Sequence, residues 1–244
     1  MSPSFSQIIG IARSGMQSRM LDLDSVSNNL ANLQTAGYKS SRLNFQEMLN
    51  ERQLSGVQPA ASQLSMLQGT VETTGNALDM AVEGSGFFSV KLPDGKTAYT
   101  RDGHFTQDGS GKVVNSDGYA LIWSGTIPAD AEGIEVQPDG TVKVMKGSTW
   151  TDAGKVSLTT FPNASGLTSF GENLWLESTT SGVAKTGTAN SAGYGLIHGF
   201  ALERSNVNLS SEIAHIIRLQ RAFDTTISAL KKTDEMISLA IHMR

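Results

Sequence analysis

Cysteine is absent from this chain. That excludes disulfides, thiolate metal sites and a cysteine nucleophile. Charge is scarce, at 17% of residues, against about a quarter in an average globular domain. Basic excess is missing as well. The 19 Lys+Arg face 23 Asp+Glu, a net charge of −4, so no nucleic-acid interface is expected. No apolar run approaches the roughly 18 residues of a membrane span, and membrane insertion is not expected. The first twenty residues lack a charged segment ahead of an apolar one, so no cleaved secretory leader is expected either.

Glycine and proline are missing from particular places. Of the 25 glycines, 21 fall between Gly69 and Gly199, and Phe200 to Arg244 holds neither Gly nor Pro. These residues punctuate local structure. The ends therefore read as long helices and the middle as a turn-rich sheet region. At the N-terminus, Ile9, Ala12, Met16, Leu23, Val26, Leu30 and Leu33 step by threes and fours, with Arg19 in the seam. A stop is predicted at Thr35-Ala36-Gly37. At the C-terminus, Leu209, Ile213, Ile216, Phe223, Ile227, Leu230, Ile237 and Ile241 share one heptad register with Gln220 and Asp234. Asn206 or Asn208 can cap its start. Both patterns are the narrow seam of a coiled coil. The helices would pair with each other, with copies of themselves, or both.

The middle alternates as strands do. Phe87 to Leu92 and Thr97 to Thr100 flank Pro93-Asp94-Gly95-Lys96, and Ile134 to Gln137 and Thr141 to Val144 flank Pro138-Asp139-Gly140. Both are predicted hairpins. Residues 50–75 are Gln/Ser-rich and read as extended linker. The predicted fold is α+β, with long N- and C-terminal coiled-coil helices flanking a mainly antiparallel β domain. Its parts are a helical segment over 1–45, a linker over 46–75, the β domain over 76–203 and a second helical segment over 204–244. Each helical end nets +1, which leaves the interior negative.

Catalytic candidates are weak. No two of His104, His198, His215 and His242 stand four apart. His104 reads as a turn-flanking residue and His215 as a polar residue at the seam edge. Ser85 sits in Gly84-Ser85-Gly86, without the flanks or following helix of a nucleophile elbow. Asp102, Asp108 and Asp117 read as turn acids, since no twelve-residue calcium loop surrounds them. No catalytic site, cofactor or metal is expected.

Several strings have a family likeness. Ser27-Asn28-Asn29-Leu30-Ala31-Asn32, then Thr35-x-Gly37-Tyr38-Lys39, resembles the N-terminal signature of the bacterial flagellar axial family of rod, hook and hook-associated proteins. Gly75-Asn76-x-Leu78-Asp79-x-Ala81-Val82-x-Gly84-x-Gly86-Phe87-Phe88 resembles the start of the β domain in its rod and hook branch. Tyr99-Thr100-Arg101-Asp102-Gly103, Gly171-Glu172-Asn173-Leu174, Leu202-Glu203-x-Ser205-Asn206-Val207-Asn208 and Gln220-Arg221-Ala222-Phe223 follow in order. Leu78 to Gly103 resembles the distal rod type most, with the proximal rod type as the alternative. Residues 46–68 are shorter than the distal pattern.

The resemblance implies a structural subunit of the flagellar basal body rather than an enzyme. Its helices would pack with those of neighbouring copies to line a hollow torque-transmitting tube, with the β domain outside. Partners would be copies of itself, other rod and hook proteins, and the flagellar type III export apparatus. Absent disulfides suit a chain threaded unfolded through a pore. The implied packing seam is Leu23, Val26, Leu30, Leu33, Ile213, Ile216, Phe223 and Ile227. Asn28, Asn29 and Asn32 would cap or bridge helices between subunits. Gly37 would permit the turn out of the first helix. A secreted β-domain binding module with oligomerising helices is the competing class.

Overall fold

The computed structural model describes residues 5–50, 53–128 and 130–242. It divides into two compact units, one of residues 1–31, 41–65 and 207–244, the other of residues 32–40 and 66–206.

The first unit holds both long helices, α1 (Phe5–Ala31) and α2 (Leu209–His242). Helix α2 runs 34 residues because nothing in its sequence stops it. Asn208 caps it, its Oδ1 accepting the Ser211 N–H at 3.0 Å. Of the two expected caps, Asn206 lies in the other unit and does different work. The helices pack on each other. A hairpin of β1 (Ser41–Asn50) and β2 (Gln53–Leu64) lies against α1. Residues 46–50 and 53–64 of the expected linker thus belong to this hairpin. Leu43 and Phe45 alternate with polar neighbours at its start, but the Gln/Ser-rich composition from residue 50 onward hides the pattern.

The second unit is antiparallel β. It contains β3 (Val71–Thr73), β4 (Met80–Glu83), β5 (Phe88–Lys91) and β6 (Thr97–Thr100). Strands β5 and β6 pair across Pro93-Asp94-Gly95 as predicted, with Phe88 opposite Thr100. They sit inside a seven-stranded sheet. The second predicted hairpin pairs Gly133–Val136 with Thr141–Lys146, within a five-stranded sheet. Alternation along β5 divides its aromatics. Phe88 points into the core, edge-on to Phe105 at 5.5 Å, among Met80, Val82, Val90, Val156, Leu158, Leu174 and Ile197. Phe87 joins Phe161 and Trp175 in a separate edge-to-face cluster, at 6.0 and 5.9 Å.

Candidate functional site

Helix α2 carries two apolar strips. Ile216, Leu219, Phe223, Leu230 and Ile237 lie on its covered side, with Glu212 buried among them and His215 beside it, 3.1 Å from Asp22 of α1. Leu209, Ile213, Ile217 and Ile227 are exposed. At 100° per residue they lie, on average, about a quarter of a turn away. The predicted seam is therefore divided. Ile216 and Phe223 face inward, whereas Ile213 and Ile227 face out. Helix α1 behaves alike. Ser18, Val26 and Asn29 are buried, Leu30 is half-buried, and Ile9, Met20 and Leu23 are exposed. Ser18 and Asn29 make the inner side of α1 partly polar, while Ile9, Met20 and Leu23 stand outward.

Asn29 holds the start of β1. Its Nδ2 donates to the Ser41 carbonyl at 3.0 Å, and its Oδ1 accepts the Ser41 N–H at 3.0 Å. A residue expected to bridge subunits thus spends its amide on its own chain. Asn28 is exposed.

The other sequence-marked residues gather in the β unit, where four signature strings meet. Asn32 Oδ1 accepts from Thr35 Oγ1 at 3.1 Å, tightening the turn before Gly37. Leu33 is half-buried. Gly37 has φ +65°, and a Cβ there would stand 2.3 Å from the Arg101 backbone, so the turn needs glycine for conformation and space alike. Asn173 Nδ2 donates to the Ala36 carbonyl at 2.8 Å. Asn206 straps the same segment. Its Oδ1 accepts the Ser40 N–H at 2.8 Å and its Nδ2 donates to the Leu67 carbonyl at 2.9 Å.

At the centre lie three charges. The side chains of Lys39, Arg101 and Glu203 are 1%, 7% and 0% exposed. Glu203 Oε1 accepts from Lys39 Nζ at 2.6 Å and from the Gly69 N–H at 2.8 Å. Its Oε2 accepts from Arg101 Nη1 at 3.2 Å. Arg101 also donates to the carbonyls of Val82 and Gly84, and stacks over Phe87 with its guanidinium carbon 5.1 Å from the ring centre. Lys39 also donates to the Leu67 carbonyl at 2.8 Å. Burial pulls the ammonium of Lys39 and the guanidinium of Arg101 below their ordinary pKa ranges, and the Glu203 carboxylate opposes that pull. Sequence reasoning quoted all three within motifs but gave none a role. Their partners are up to 164 positions away, and no periodicity marks such a pairing.

The catalytic candidates resolve into local structure. His104 Nδ1 lies 2.9 Å from Asp79 Oδ1, and Asp79 also accepts from Thr74 and Asn76. Asp108 closes its own turn, accepting the N–H groups of Ser110 and Lys112. Ser85 is exposed, and its carbonyl accepts the Gly195 N–H. Among the described residues no three His, Asp or Glu side chains gather as a metal site requires, and no helix is long and apolar enough to cross a membrane.

Comparison with known proteins matches three family models. "Flagella basal body rod protein" covers residues 9–39, "Flagellar hook protein FlgE/F/G D1 domain" covers 81–144, and "Flagellar basal body rod FlgEFG protein C-terminal" covers 199–243. The chain is 34% identical to the flagellar basal-body rod protein FlgG of Buchnera aphidicola from Acyrthosiphon pisum, over 93% of this chain and 95% of that protein. It is 33% identical to FlgG of Bacillus subtilis, over 95% and 96%. It is 26% identical to the rod protein FlgF of Mesorhizobium japonicum, over 86% of each.

Proposed function

Because the chain belongs to the family of flagellar basal-body rod and hook proteins, we propose that it is a rod subunit of the distal type, assembling helically into a hollow shaft that carries torque from motor to hook. Its place is the flagellar basal body, where its relatives are structural proteins rather than enzymes. The distal type is favoured over the proximal by the near full-length match to the FlgG relatives, at higher identity and coverage than the FlgF relative.

The observation that carries self-assembly is the second apolar strip on each long helix. Leu209, Ile213, Ile217 and Ile227 of α2, with Ile9, Met20 and Leu23 of α1, stand exposed in the single chain. A neighbouring copy supplies the cover. Val26, Leu30, Ile216 and Phe223 serve the in-chain pairing, which presents that outward strip. Contacts of this head-to-tail kind, when they do not close into a ring, propagate a helical filament. Other rod and hook proteins continue the shaft at its ends, and the flagellar type III apparatus exports the chain through the channel.

The test is to delete the gene and image isolated basal bodies. A rod that stops short, with no hook, is the expected result, and its length separates the distal from the proximal type. Complete hooks and filaments in the deletion strain would overturn the reading.

A further inference from the structure

The three buried charges of the β unit need a reason. Burying an ion pair or triad is costly, and apolar residues of similar volume in the same place commonly leave a fold equally stable or more so. Stability alone does not account for Lys39, Arg101 and Glu203.

Register does. Glu203 lies on the three-residue strand Ala201–Glu203, which pairs with β3 through only three residues. Backbone bonds from Thr74 to Phe200 and from Arg204 to Thr70 flank it, but β3 is exposed along its length and the inward pair Ala201 and Glu203 offers little apolar pattern, so hydrophobic burial specifies this register weakly. The neighbours of Glu203 show what a slip would do. A two-residue slip keeps the same face inward but brings Ala201 or Ser205 to the position of the carboxylate. Lys39 and Arg101 would then be buried with no anion. A one-residue slip brings in Leu202 or Arg204, and Arg204 would be a third cation. Every near register is penalised by the same two buried cations. Lys39 lies on the segment that follows α1 and Glu203 on the segment that precedes α2, while Arg101 follows β6.

We propose that Lys39, Arg101 and Glu203 form a registry lock, which fixes where the segments 37–40 and 201–206 are held on the β unit. The lock is a set of positioning residues, retained for a unique register rather than for stability. Its bearing on assembly rests on the rod-subunit reading, and its register is measured without that reading.

The experiment uses the full chain. The variant K39M/R101M/E203L replaces the lock with apolar side chains of similar reach. The expected result is a urea midpoint, followed by tryptophan fluorescence, at or above that of the wild type. Amide protection of 201–206 falls roughly tenfold or more relative to Phe88–Lys91. A triple variant that keeps wild-type protection at 201–206 overturns the lock. One that does not fold also overturns it, since the charges would then carry the fold.

Glu203→Gln is the second arm. It keeps the shape and leaves two unopposed cations. Loss of protection confined first to 37–40 and 201–206, at urea concentrations where Trp175 is still buried, is expected. Uniform loss across the sheet overturns the proposal. Swimming in a deletion strain carrying the triple variant is scored separately. Full motility together with lost protection would leave the register reading standing and overturn its bearing on assembly.

Discussion

The division of α2 into two strips makes a sharp prediction at Ile213. In the single chain this side chain is 45% exposed. Ile213→Asp therefore forfeits only part of the burial of an isoleucine, about 1 kcal/mol. Position 213 lies in the second turn of α2, beyond the first turn over which the helix N-terminus favours a carboxylate. The single chain should lose about 1 kcal/mol or less. Under the proposed assembly the same carboxylate would be desolvated against a neighbour's apolar strip, at several kcal/mol. At 1.4 kcal/mol per factor of ten, a 4 kcal/mol penalty raises the concentration needed for polymerisation about a thousandfold. Ala214→Asp, on an exposed position about 100° round the helix, is the control. Circular dichroism and tryptophan fluorescence report the fold, and sedimentation across a concentration series reports assembly. Polymerisation of Ile213→Asp at the wild-type concentration would refute the assignment of this strip to a neighbouring copy. Ile216→Asp should fail differently, loosening the α1–α2 pairing in the single chain before assembly is reached.

Three further outcomes follow from individual contacts. Asn208→Ala removes the acceptor for the Ser211 N–H and should cost about 1 kcal/mol of α2 stability, read as earlier loss of helical dichroism in urea. Gly103→Ala places a Cβ 1.5 Å from the Met80 carbonyl oxygen, against a hydrogen bond from Met80 N–H to the Gly103 carbonyl. About 3 kcal/mol should be lost, and a tryptophan-monitored midpoint unchanged from wild type would contradict this packing. Asp139 is held at about 2, first by the hydrogen bond from the Lys155 ammonium and then by the N–H and hydroxyl of Thr141. A depressed carboxylate stabilises the fold above the unfolded value near 4, and that contribution is lost as pH falls through 2. The pair is partly exposed, so solvent screening holds its worth below about 1 kcal/mol. Asp139→Asn should therefore lower the urea midpoint at pH 5 and lower it by less at pH 2. An equal gap at both would rule the linkage out.

The parts of this fold that were legible in the sequence are those whose causes are local. Turn chemistry at Pro93-Asp94-Gly95 and Pro138-Asp139-Gly140 marks its own hairpins, and the absence of Gly and Pro after Phe200 marks α2. The hairpin of β1 and β2 was not legible, because the Gln/Ser-rich composition from residue 50 onward resembles a linker and outweighs the alternation at Leu43 and Phe45. The apolar seam was legible as a set but not as a division. Ile213 and Ile216 are equally apolar, and only the position of α1 decides which of them faces inward. The charge triad was the least legible. Lys39, Arg101 and Glu203 stand in quoted motifs but carry no role in the sequence, since their pairing depends on segments 60 or more positions apart meeting in space.

That distance has a consequence for how substitutions combine. The strings around Gly37, Arg101, Asn173 and Glu203 are separate in the sequence but form one contact set. Contributions from residues in one network do not add. Removing Glu203 already strands both cations, so removing Lys39 as well relieves part of the penalty. The double variant K39M/E203L should therefore be more stable than the sum of its single changes allows. A double-mutant cycle on the full chain, read by the urea midpoint, measures that coupling. Strict additivity would mean that the two side chains, 2.6 Å apart in the structure, do not act as a pair.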